Sequence, residues 1–72
     1  KTMTRKELGQ KIKEQRESLG LTQKQLAEKL LTGASIISRI ERAKYSSSFD
    51  FISKLLKEIN LEINLIELEN KV

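Results

Sequence analysis

The chain has 72 residues, with fourteen Lys/Arg against ten Asp/Glu and neither histidine nor cysteine. Disulfides, the usual zinc ligands and the usual general base are therefore excluded, and no Asp/Asn-rich loop offers the spacing of a hard-cation site. The length suits one small domain, which would bury only about 60% of its unfolded surface and gains from any further burial by association.

No apolar run reaches the length of a membrane span and no signal-like segment opens the chain, so a soluble, cytoplasmic protein with no membrane partner is expected. The chain opens on Lys1, with its Met at position 3, and this leaves the natural start open. Charge is unevenly spread. Residues 1–44 carry eleven basic against five acidic residues, a balance of +6, while residues 45–72 carry three against five, a balance of −2. A basic front suits a polyanion, and the acidic end implies a different use.

The first helix opens at "TRKE", where Thr4 caps and Glu7 completes a capping box. Leu8, Ile12 and Leu19 follow at helical spacing, and Gly20 occupies the left-handed position that ends a helix. The second helix opens at "TQKQ" with Thr22 and Gln25 as cap and box, and Leu26, Ala27 and Leu30 form its inner face. "LTGAS" breaks the chain. A third helix is expected from about Ala34 to Arg42, with Ile37 and Ile40 inward and Ile36 to the side. After the polar "AKYSSS", a fourth helix starts near Ser47 or Ser48 with Asp50 in its first turn. Ile52, Leu55, Leu56 and Ile59 are its inner residues, Phe49 or Phe51 caps the core, and Asn60 ends it.

The segment "LEINLIEL" then changes period. Leu61, Ile63 and Leu65 alternate with Glu62 and Asn64, the pattern of a half-buried strand. A lone strand leaves backbone donors and acceptors unpaired, and a two-fold related copy supplies an antiparallel partner. Leu61, Ile63 and Leu65 are thus the expected dimer seam. The alternative is an arm packed on its own domain. Beyond Leu65 the alternation slips at Ile66, which marks either a bulge or the strand's end. The expected organisation is a helical domain over 4–60, a dimerisation strand over 61–68 and a tail over 69–72.

Two short helices joined by a tight turn, with basic residues around the second, describe a helix-turn-helix. "LTQKQLAEKL" followed by "IISRIER" resembles the lambda-repressor-like (XRE-type) helix-turn-helix family, over roughly residues 8–59 and without gaps. The resemblance implies a mainly α, four-helix domain that binds double-stranded DNA, with no catalytic residues, no metal and no cofactor. It implies that Arg16 and Glu41 form a structural ion pair, and that Thr22 and Gln23 meet phosphate at a helix N-terminus, where free N–H groups favour anions. Ala34, Ser35, Ile36 and Arg39 match the outward positions of the recognition helix. Arg39 would either grip guanine in a bidentate contact or meet phosphate; Ile36 would either pack on a thymine methyl or extend the core. Arg42, Lys44 and Tyr45 match the loop that contacts the DNA backbone.

The chain departs from that pattern in its turn. Leu31 stands where glycine is common, Thr32 where a branched apolar residue is common, and Gly33 where a Ser or Thr cap is usual. Either the turn is reshaped or its glycine is displaced by two positions. Ala34 stands where Gln is frequent, Ala43 where Gly is frequent and Ser47 where Pro is frequent. The direct passage from the fourth helix into "LEINLIEL" is similar to the HipB-type antitoxins, whose dimers pair C-terminal strands. That likeness implies a homodimeric repressor on a palindromic operator, autoregulating its operon and binding a toxin protein. The rival readings are a phage-type or restriction-modification controller without a toxin, and a protein-interaction module with weak DNA specificity.

Overall fold

The computed structural model describes residues 3–44 and 48–63. Among the described residues four helices follow one another: α1 (Arg5–Ser18), α2 (Gln23–Lys29), α3 (Ala34–Glu41) and α4 (Phe49–Glu58). Their starts follow from side-chain chemistry. Thr4 and Thr22 each accept from the backbone N–H three residues on, while Glu7 and Gln25 reach back to the cap N–H, so both capping boxes close. Ser48 caps α4 by accepting from the Phe51 N–H at 3.1 Å, and Asp50 lies in the first turn as expected. Gly33 precedes α3 with no side chain to cap it.

All four helices end by one device. In each, a residue with left-handed backbone follows the C-cap, and two N–H groups turn back onto carbonyls that the helix leaves unpaired. The left-handed residues are Gly20 (φ 73°), Leu31 (φ 58°), Ala43 (φ 61°) and Asn60 (φ 57°). The longer back-bonds run from Leu21 to Arg16, Thr32 to Ala27, Lys44 to Arg39 and Leu61 to Leu56, at 2.8–3.1 Å. The helix-turn-helix turn is therefore not reshaped, and its glycine is not displaced. Leu31 itself takes the conformation that suits glycine, whereas Gly33 sits at φ −98°, open to any residue. The left-handed form costs an ordinary residue about 1–2 kcal/mol, and glycine escapes that cost.

The core gathers Leu8 and Ile12 from α1, Leu26 and Ala27 from α2, Ile37 and Ile40 from α3, and Ile52, Leu55, Leu56 and Ile59 from α4 and its cap. Each fully buried Leu or Ile contributes about 1.5–3 kcal/mol relative to exposure. Leu19 departs from expectation. It is 49% exposed at the C-cap, beyond the last helical residue of α1. Leu30 is only partly buried at the end of α2. Phe51, not Phe49, covers the core; Phe49 is 63% exposed.

Residues 61–63 leave α4 without joining a strand ladder among the described residues, so the expected strand is not seen there. Leu61 and Ile63 do pack, partly buried, on the core of their own chain. Asn64 to Leu68, including Leu65, lie outside the described residues.

Gly9 sets how closely α1 and α3 approach. A Cβ there would stand 2.6 Å from the Glu41 carbonyl oxygen and 2.7 Å from that of Ile40, both backbone atoms that cannot swing aside. Only a residue without a side chain permits this crossing. Gln15, also on α1, donates from Nε2 to the Ile59 carbonyl at 2.9 Å and ties α1 to the end of α4. Among the described residues, no helix is long and apolar enough to cross a membrane.

Candidate nucleic-acid interface

The candidate interface is built on α2 and α3, and its rigidity starts beneath the surface. Arg16 and Glu41 are buried, and the guanidinium donates to the carboxylate in a bidentate pair, Nε to Oε2 at 2.6 Å and Nη2 to Oε1 at 3.1 Å. A third donor, Nη1, reaches the Leu21 carbonyl at 2.7 Å, just before the Thr22 cap of α2. The ion pair suggested by the family pattern is therefore present, and it also holds the entry to α2. Hydrogen bonding to Glu41 raises the pKa of the Arg16 guanidinium further above its already high ordinary value, although burial opposes that shift. Arg16 also lies 3.8 Å from Glu17, but Glu17 is well exposed and that contact is worth little.

Gln23 joins the same cluster. Its Nε2 donates to Glu41 Oε1 at 3.0 Å. Position and hydrogen bonding thus tie the first residue of α2 to the last residue of α3. The sequence reading of Gln23 as a phosphate contact did not include this bond. The side chain is half-buried and its amide already has a protein partner, so a phosphate there would meet the remaining amide hydrogen and the backbone N–H of the first turn.

Along α3, Ile37, Ile40 and Glu41 face inward. Ser35, Arg39 and Arg42 are exposed and stand at spacings of four and three, one ridge along the opposite side. Ala34 is half-buried. Ile36 is partly buried against the core, which fits the core-extending alternative for that residue more than a free apolar tip. Arg42 is the C-cap of α3 rather than its last helical residue, and its Nε donates back to the Ser38 carbonyl at 3.3 Å. Lys44 is exposed beyond the left-handed Ala43. Lys24, which the sequence reading passed over, adds an exposed cation to the first turn of α2. Tyr45 lies outside the described residues. Ser35, Arg39, Arg42 and Lys44 are thus exposed on or just after α3, while Thr22 and Gln23 open α2.

Among the described residues, no group of carboxylates is arranged to hold a metal ion. What the surface offers is α3 with its donors outward, tied to α2 across a tight turn by the Gln23–Glu41 bond and braced from α1 by the buried Arg16–Glu41 pair. This geometry defines a helix-turn-helix unit.

The chain matches the helix-turn-helix family HTH_3 over residues 12–66 and belongs to that XRE-type family of DNA-binding regulators. The membership supports binding to double-stranded DNA and a role in transcription regulation. No curated protein and no solved structure matches the chain significantly.

Proposed function

We propose that this protein is a homodimeric, sequence-specific repressor that reads a palindromic operator with α3. Ser35 and Arg39 meet base edges in the major groove, Ala34 lies against them, and Ile36 supports the helix from the core side. Thr22, Gln23, Arg42, Lys44 and Tyr45 contact phosphates and fix the register. The observation that carries this reading is the exposed ridge of Ser35, Arg39 and Arg42 on a helix whose opposite face is locked by the Arg16–Glu41–Gln23 cluster. A major groove admits a helix presented in this way.

Dimerisation runs through residues 61–68, with Leu61, Ile63 and Leu65 as its seam. The support is the alternating pattern and the small core, which gains from added burial. Pairing of two copies places their recognition helices about 34 Å apart, one turn of DNA. The C-terminal pattern favours an antitoxin that represses its own operon in the cytoplasm and also binds a toxin protein.

A second reading rests on Ala34, which offers no side-chain hydrogen bond where an amide would grip adenine. On that reading the fold is an interaction module with weak DNA preference. Gel shifts across a salt series test the DNA claim. The proposal expects log affinity to fall steeply and linearly with log salt. A flat dependence would overturn it.

A further inference from the structure

A second surface lies at the other end of α2. Lys29, Leu30 and Leu31 face Lys54, Lys57 and Glu58 of α4 across an open groove of about 320 Å³. None of these residues belongs to the proposed DNA face. The floor is apolar and the rim carries three lysines against one glutamate.

Leu31 makes this groove unusual. It is 94% exposed and holds a left-handed backbone. Glycine or asparagine would serve the turn better, and either would remove an apolar side chain from water. The folded chain therefore gains nothing from a leucine here, in conformation or in burial. Conformational cost and exposed apolar surface at one residue together point to an interaction outside the fold.

We propose that the groove docks an acidic segment of another protein that carries a large apolar side chain. The apolar residue covers Leu31 and Leu30, and the flanking carboxylates meet Lys29, Lys54 and Lys57. The lysine rim sets the sign of the partner's charge, and the apolar floor selects a protein segment over a phosphate backbone, which has no use for an exposed leucine. The inference does not rest on the operator reading, because it concerns a different set of residues.

The test uses the full chain and a displayed library of random twelve-residue peptides. Enriched peptides should combine Asp or Glu with one or two of Leu, Ile, Phe or Trp. One such peptide, titrated into the isotope-labelled protein, should shift the amide signals of residues 29–31 and 54–58. Leu31→Asn keeps the left-handed turn and removes the anchor; it should weaken that peptide about tenfold, as loss of a central apolar contact does. The K54E/K57E variant should weaken it at least as much. Leu31→Asn, which leaves the charge unchanged, should keep its affinity for duplex DNA. No acidic–apolar enrichment, amide shifts elsewhere, or peptide binding unaffected by L31N would overturn the proposal. Loss of duplex binding in L31N would also overturn it, by placing the groove on the DNA face.

Discussion

The guanidinium of Arg16 grips the carboxylate of Glu41 with two hydrogen bonds, 2.6 and 3.1 Å long, between the first helix and the last residue of α3. Both residues are buried, and the remaining bonds of the cluster go to Leu21 and Gln23 at the edges of α2. The Arg16–Glu41–Gln23 cluster thus joins α1, α3 and α2 beneath the proposed DNA face.

Removing one partner leaves a buried charge. Arg16→Met should destabilise the fold by about 3–5 kcal/mol, and pairing it with Glu41→Leu should recover much of that loss. Urea denaturation of the two single variants and the double variant measures the coupling. The double variant should also bind DNA less well than its stability implies, since Gln23 loses its anchor. Equal costs that simply add would contradict the network.

The sign of the pH dependence follows from the raised pKa of Arg16. A cationic group whose folded pKa lies above its unfolded one contributes stability that is fully present below the unfolded value. The contribution is lost only as pH rises through the folded value. For an arginine that window lies in strong alkali, so the guanidinium adds no slope to stability near neutrality. Denaturation of wild type and the Arg16→Met/Glu41→Leu double variant at several pH values in the neutral range should give equal differences, because the double variant leaves no unpaired buried carboxyl.

Gly9→Ala places a methyl group against two backbone carbonyls. Higher helix propensity would favour the alanine by about 1 kcal/mol, but overpacking against immobile backbone costs about 1–3 kcal/mol or more. A net loss of stability is expected, together with weaker DNA binding as α3 shifts. Thermal melts and gel shifts on the same variant check both.

Ala43→Gly and Leu31→Gly relieve left-handed backbone at the ends of α3 and α2. Each should stabilise the domain by about 1 kcal/mol, partly offset by the freer unfolded chain. An increase in the denaturation midpoint, with unchanged slope on denaturant, is the expected result.

Arg39 and Lys44 should separate by their effects on DNA. Arg39→Ala is expected to cost about 1–3 kcal/mol and to relax preference at one base pair. Lys44→Ala should weaken all sequences alike and make the salt dependence shallower by about one charge. If Arg39→Ala behaves like Lys44→Ala, Arg39 contacts phosphate.

Much of this fold was legible because its signals are local. Thr4 with Glu7 and Thr22 with Gln25 are reciprocal caps that a four-residue window reveals, and the stripe from Ile52 to Ile59 announces its inner face. The turn was harder to read. Leu31 was recognised as a departure, but residue types alone left a reshaped turn and a displaced glycine both open; the back-bonds from Leu31 to Glu28 and Thr32 to Ala27 show an ordinary turn in which Leu31 itself takes the left-handed backbone. Gly9 was passed over although a glycine inside a helix is itself a sign of close packing. The Gln23–Glu41 and Gln15–Ile59 bonds join residues 18 and 44 positions apart, and no local pattern marks them. For the interface, the outward positions of α3 came from the family resemblance; Ser35 and Arg39 are exposed, whereas the partial burial of Ala34 and Ile36 depends on packing from other helices.

The strand reading stands on residues 61–68. Ile63→Lys, or truncation after Asn60, should convert dimers to monomers that bind a palindrome poorly while α3 keeps its sequence. Sedimentation of each variant tests this. A variant that remains dimeric would make the segment an arm of its own domain.

The central claim, a dimer reading a palindrome with α3, is tested most directly by selecting binding sites from a random pool of duplex DNA with the 72-residue chain. The account predicts enrichment of an inverted repeat whose half-sites are centred about one helical turn apart. A pool that stays random after repeated rounds, with equal affinity for every duplex, would contradict it.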